Sequence, residues 1–337
     1  MRAEALALTF LVTAAAAACA DPAPTSVPTS EPLAFVPDLV PATADDPIVP
    51  IPTRLDLDAR KVALGEKLFK DPILSRDRDT SCLVCHPFGK GGADGMPKSQ
   101  LFGKEPLAVN TPTVFNVGLN YKLHWNGKWD SLEAQLDTPI LNPKVMNITY
   151  GEIVSRLDAS TDYKPAFAAI YTDGVTEKNF RDAVATYERS LLTPRSRFDR
   201  FLSGEPEAID DRERQGYALF KSHGCISCHQ GVNVGGNMMQ RFGALKDYFA
   251  GRTITEADLG LYLVTNREED KHVFRVASLR NVALTAPYFH DGSVDTLEKA
   301  VRIMAEYQLG RPLTDEQTGL IVAFLGSLTG DTGVEGL

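Results

Sequence analysis

After its first twenty positions the sequence contains no apolar run long enough to cross a bilayer as a helix. It also lacks an excess of basic charge. Thirty-five Lys and Arg stand against forty-four Asp and Glu, a formal net charge of −9, which argues against a nucleic-acid or anionic-membrane surface. Alternating apolar and polar runs of the strand kind are scarce. Cysteine is scarce too, with five in 337 residues. Four of the five fall in two copies of one pentapeptide, Cys82-Leu83-Val84-Cys85-His86 and Cys225-Ile226-Ser227-Cys228-His229.

That spacing is the attachment signature of c-type haem. Two thiols bond to the porphyrin vinyl groups, and the following imidazole becomes an axial ligand of the iron. The rivals for Cys-x-x-Cys are a redox dithiol and half a zinc site. Neither requires a histidine directly after the second cysteine, twice. The two motifs therefore predict two covalently bound haems c, with His86 and His229 as iron ligands.

Residues 1–19 have the form of an export signal, with Arg2 in a short polar head and an apolar core from Ala5 to Ala18. Ala16-Ala17-Ala18 before Cys19 resembles a bacterial lipobox, so a lipid anchor at Cys19 is expected, with plain cleavage nearby as the alternative. Either outcome places the mature chain in the periplasm. Residues 20–54 are rich in Pro, Ala, Thr and Ser and read as a flexible tether.

The remainder reads as mainly α, in two tandem cytochrome c-like domains at 55–202 and 205–337. Gly65-Glu66-Lys67-Leu68-Phe69-Lys70 precedes the first haem motif and Gly216-Tyr217-Ala218-Leu219-Phe220-Lys221 the second, an internal repeat. Phe180, Val184, Tyr187 and Leu191 recur at helical spacing. Asp295-x-x-Glu298 and Thr314-x-x-Gln317 read as capping boxes. Ser203-Gly204-Glu205-Pro206 reads as the break between domains.

The sixth position of each iron decides between electron transfer and reaction with a ligand. For the second haem the candidates are Met304, on an apolar helix face, and Met238 or Met239 in a Gly-rich loop. For the first haem they are Met96, Met146 and His124, with His223, His272 and His290 behind them. Each competes with a bland role as core filler or hydrogen-bonded histidine.

Further stretches carry a family resemblance. Asn110-Thr111-Pro112-Thr113-Val114-Phe115-Asn116, Trp125-Asn126-Gly127, Leu132-Glu133-Ala134-Gln135 and Leu279 through Pro287-Tyr288-Phe289-His290-Asp291-Gly292 resemble bacterial di-haem cytochrome c peroxidases. The superfamily includes the di-haem oxidase that matures methylamine dehydrogenase. The resemblance implies that Met304 is the distal ligand of the C-terminal haem, where the maturing oxidase has a tyrosine. It implies that Trp125 bridges the haems and Gln135 lines the peroxide pocket. It also implies a calcium ion at Asn110, Thr285 and Pro287, a small cytochrome c or cupredoxin as electron donor, and a homodimer.

Two positions depart from the family pattern. Phe102 stands where the peroxidases usually carry a histidine that blocks the first iron, and Val145 where they carry a glutamate in the peroxide pocket. Peroxide cleavage needs a group that moves a proton, which Phe and Val lack. His124, next to Trp125, is the expected replacement. The leading expectation is reduction of hydrogen peroxide at the first haem. The alternatives are peroxide-dependent oxidation of a partner protein and, if His124 closes the first iron, a non-enzymatic electron-transfer lipoprotein.

Overall fold

The N-terminal half is built on two helices that cross at backbone distance. Helix α1 runs Ala59–Lys70, opened by Asp58, whose carboxylate accepts the Arg60 amide at 2.9 Å. Helix α2 is the single turn Cys82–Cys85, and α3 is Leu132–Gln135. Helix α4, Glu177–Ser190, is capped by Thr176. A methyl group on Gly65 would overlap Ala183 O and Tyr187 Cβ, so only glycine lets α1 and α4 approach this closely. Around the crossing lies one core, including Leu68, Phe69, Phe115, Phe180 and Val184. Burying each such side chain is worth about 1.5–3 kcal/mol.

The C-terminal half repeats the arrangement. Helix α5, Asp211–His223, starts at a capping box between Asp210 and Glu213. Helix α6, Leu297–Ile303, runs into a π turn at Met304–Gln308. Helix α7, Asp315–Ser327, starts at the expected capping box of Thr314 and Gln317. A methyl on Gly216 would overlap Leu320 O and Phe324 Cβ, the counterpart of the first crossing. Asn116 accepts the Thr193 amide at 2.9 Å, and Asn281 accepts the Gly330 amide at 3.0 Å. Both asparagine amides donate to Thr193 Oγ1, which ties the halves together.

The structure is a computed structural model that describes residues 46–101 and 104–332. The export segment with Cys19, most of the expected tether, and Phe102 lie outside the described residues. The described chain is mainly helical, 44% helix against 4% strand. No helix among the described residues is long and apolar enough to cross a membrane.

Three local expectations are corrected. The tether does not extend to residue 54. Ile48 and Ile51 are buried in the second core, Asp46 accepts the Tyr217 hydroxyl, and the Ile51 amide donates to Asp199. The two cores divide between Leu191 and Phe198 and not at Ser203, because Phe198 packs on Phe324 and Phe201 on Phe198 within the second core. Helix α6 is capped by Thr296, one residue after Asp295, whose carboxylate instead pairs with Lys299 at 2.7 Å. A two-stranded antiparallel ribbon, β1 Met239–Arg241 against β2 Val273–Arg275, was not signalled by alternation, because each strand is three residues long.

Candidate haem sites

Each Cys-x-x-Cys-His motif folds as one tight turn that brings its histidine back over its first cysteine. The His86 amide donates to Cys82 O and the His229 amide to Cys225 O, both at 3.0 Å. Each imidazole is then fixed from behind. His86 Nδ1 lies 3.0 Å from Gly92 O, and His229 Nδ1 lies 3.1 Å from Ala277 O. A backbone carbonyl accepts only from Nδ1–H, so Nε2 keeps its lone pair for a metal. Burial lowers the pKa of both rings, that of His229 to about 4, which keeps them neutral.

The four thiols are free. Burial pushes Cys85 and Cys225 up to about 11, and Cys82 is raised as well. A redox dithiol requires the opposite shift. The motif chemistry therefore fits thioether attachment better than its dithiol rival.

The second motif opens on a mainly apolar cavity of about 250 Å³. Cys225, Cys228, His229 and Met304 line it, as do Trp125 and Arg275. Met238 and Met239 are not in the lining, and Met239 packs at Gly127 instead. Trp125 Nε1 donates to Asn110 O at 2.8 Å. Trp125 and Met304 pack on one aromatic cluster with Phe242 and Phe274.

Arg275 was not singled out from sequence. It is buried, and its guanidinium reaches only neutral oxygens, of His124, Asn120 and Val276, at 3.4–3.5 Å. Burial lowers its pKa to about 10. A buried cation without a carboxylate partner, facing an apolar cavity edged by two thiols and an imidazole, fits a porphyrin with its anionic carboxylates. The signal in the sequence was a lone charge inside Val273-Phe274-Arg275-Val276.

Around the first motif, Met146 is buried in the core and Met96 is exposed. Val145 is buried, and its carbonyl accepts Lys104 Nζ at 2.7 Å. His124 is half-buried in left-handed backbone at φ 71°, with Nδ1 3.2 Å from Asn126 Oδ1. Burial lowers its pKa. Its neighbour Leu123 packs with Leu132 of α3, the helix that ends at Gln135, and with Ala185 of α4. The other candidate histidines are each engaged: His223 with Arg311 O at 2.6 Å, His272 with Asp258 O and His290 with Asp258 Oδ1, both at 2.7 Å.

Asn110 and, far from it in sequence, Thr285 and Pro287 line the same cavity. Asn110 Nδ2 donates to Met96 O at 2.9 Å and Thr285 Oγ1 to Val282 O at 3.3 Å. The one histidine–carboxylate cluster of metal-binding size among the described residues is a different set, Asp258, His290 and Asp291.

Comparison with known proteins gives a consistent result. A family model described as di-haem cytochrome c peroxidase matches residues 59–207. Cytochrome c peroxidase Ccp of Escherichia coli (strain K12) is 42% identical over 294 residues, 87% of this chain and 63% of that protein. The chain thus spans less than two thirds of the Escherichia coli relative. Cytochrome c551 peroxidase of Nitrosomonas europaea is 40% identical over 290 residues, 86% of this chain and 85% of that protein. Among solved structures, a MauG-like protein associated with microbial copper homeostasis superposes with a TM-score of 0.73 at 26% identity, covering 90% of this chain and 98% of that one.

Proposed function

Because the chain belongs to the di-haem cytochrome c peroxidase family, and so to a family of haem oxidoreductases, we propose that it reduces hydrogen peroxide to water. Two electrons and two protons are consumed per peroxide. The observation that carries the reading is the asymmetry of the two motifs. His229 shares its cavity with Met304, whereas the methionines near His86 are in the core or at the surface. When bound, the haem at His86 supplies reduction of the O–O bond and the haem at His229 and Met304 supplies stored electrons.

The chain's own residues hold, orient and protonate. Cys82 and Cys85, and Cys225 and Cys228, fix the two porphyrins. Arg275 pairs with porphyrin carboxylate at the second site. Trp125, anchored through the Asn110 carbonyl, is the bridge for electrons between the halves. His124 takes the place of the carboxylate missing at Val145. With Nδ1–H donated to Asn126, its Nε2 is a free base that accepts a proton from peroxide and returns it to the departing oxygen. The Gln135 amide orients the peroxide. Asn110, Thr285 and Pro287 hold calcium through neutral oxygens, with water completing the shell. Such a site binds weakly, so chelation is expected to remove the ion and lower the melting temperature, with added calcium restoring it.

The electron donor is a small cytochrome c or a cupredoxin, encountered in the periplasm. The deciding experiment is a stopped-flow titration of the half-reduced, haem-loaded protein with peroxide, with haem spectra recorded throughout. Stoichiometric oxidation of both haems is expected. Spectra that do not respond to peroxide in either redox state would favour a purely electron-transferring protein.

A further inference from the structure

The repeated helix crossing places one residue of each half in the same spot. Ala183 O and Tyr187 Cβ close on Gly65, as Leu320 O and Phe324 Cβ close on Gly216. One position beyond Phe324 stands Leu325, which is buried and lines the cavity of His229. One position beyond Tyr187 stands Glu188. The first site therefore has a carboxyl group where the second has a hydrocarbon.

That carboxyl is only 6% exposed. Its Oε2 is the one buried side-chain polar atom among the described residues without a hydrogen-bond partner. No charged side chain forms an ion pair with it among the described residues. Arg189, on its own helix, is bound to Glu133 of α3 at 2.8 Å. Helix α1 buries only Leu64, Gly65, Leu68 and Phe69. Helix α2 brings the Cys82 thiol, which the charge of Glu188 helps to raise. By the correspondence of the two crossings, this orphaned carboxyl, whose charge acts on the Cys82 thiol, holds the place that Leu325 holds on the cavity of His229.

We propose that Glu188 is the proton partner of the first haem, taking up a proton when that haem is reduced and releasing it when the haem is oxidised. One electron enters from the donor and at most one proton enters from water. The physical basis is charge compensation in a poorly solvated site. The oxidised iron carries one more positive charge and favours the carboxylate, while the reduced iron favours the neutral acid. Burial raises the carboxyl to about 8, with Arg189 opposing and Glu133 adding to that shift. Leu325 leaves the second haem without such a partner. The inference rests on the reading that a haem is attached at Cys82 and Cys85.

Spectropotentiometry of the haem-loaded protein from about pH 6 to about pH 9 reads the proposal directly. The first-haem potential is expected to fall with rising pH, by up to 59 mV for each tenfold change in proton activity. Glu188→Gln should remove most of that slope and leave the second haem unchanged. Glu188→Leu, which copies Leu325, should do the same, and Glu188→Asp should retain part of it. Redox-difference infrared spectra should show a carboxyl C=O band that the Gln variant lacks. A slope that is absent in the wild type, or unchanged from wild type in the Gln and Leu variants, overturns the role of Glu188. Mass spectrometry separates the two layers: a wild-type chain with fewer than two haems sinks the underlying reading, whereas two haems with an unaltered slope sink Glu188 alone.

Discussion

The two halves use one scaffold around two unlike haem motifs. In both, a glycine lets two helices touch, a phenylalanine four residues later packs nearby (Phe69 or Phe220), and a histidine is braced by a backbone carbonyl. What differs is confined to a few side chains. The second half encloses Met304 and Leu325 in an apolar cavity with Arg275 at its edge. The first half keeps Glu188 unpaired and has a half-buried histidine next to Trp125. On the proposed reading, reactivity is set by local substitution on a duplicated frame: a closed, apolar surround suits electron storage, and a surround with titratable groups suits chemistry that moves protons.

The sharpest way to break that contrast is at His124. His124→Phe is expected to lower peroxide turnover by about 10²–10⁴-fold, the range for loss of a general acid–base group, without changing the second-haem spectrum. Unaltered turnover would remove the histidine from the first site's chemistry. The shared frame is tested by Gly65→Ala and Gly216→Ala. Each should cost about 1–3 kcal/mol in thermal unfolding, since the added methyl must push two backbones apart. Similar losses would support equivalence of the crossings, and a loss in one half only would break it.

At the second site, Arg275→Leu removes a buried positive charge and should lower the haem potential. A tenfold change in the redox equilibrium, 59 mV for one electron, is the expected scale. Arg275→Lys should recover part of it, and a larger shift at the first haem would reassign the arginine. A further effect concerns stability and pH. Glu188 is raised from 4.5 to about 8 in the fold. The folded state thus holds its proton where the unfolded chain has lost it, so this contribution is complete below pH 4.5 and is lost as pH rises to about 8. The melting-temperature gap between Glu188→Leu and wild type should therefore widen in favour of the variant across that window. A constant gap would mean that the carboxyl is solvated after all.

Much of this was legible before any coordinates. The pentapeptides named their own cofactor, because covalent attachment demands a fixed spacing. The Gly-x-x-Leu-Phe-Lys echo pointed to the repeated crossing, and Thr314-x-x-Gln317 marked the start of α7. What escaped depends on tertiary context. Arg275 is an ordinary surface residue type until the ribbon and the cavity enclose it. Glu188 sits one residue past Tyr187 and four past Val184, on the inward face of α4, yet a reading of apolar periodicity skips a carboxylate on that face. The packing of Ile48 and Ile51 was hidden by the proline-rich composition before them. The boundary between the cores was misplaced because Ser203-Gly204-Glu205-Pro206 marks a change in chain direction, while Phe198 and Phe201 had already joined the second core.

The π turn at Met304–Gln308 makes the sulfur's aim a matter of counting. A helix advances about 100° per residue, so dropping one residue from that wide loop would rotate everything after it by more than a quarter turn. Gln308, at the end of that turn, accepts the Gly243 amide and donates to the Arg241 carbonyl, which pins the phase. A single-codon deletion there would swing the thioether and this clasp out of step, even with every side chain that defines the site still encoded.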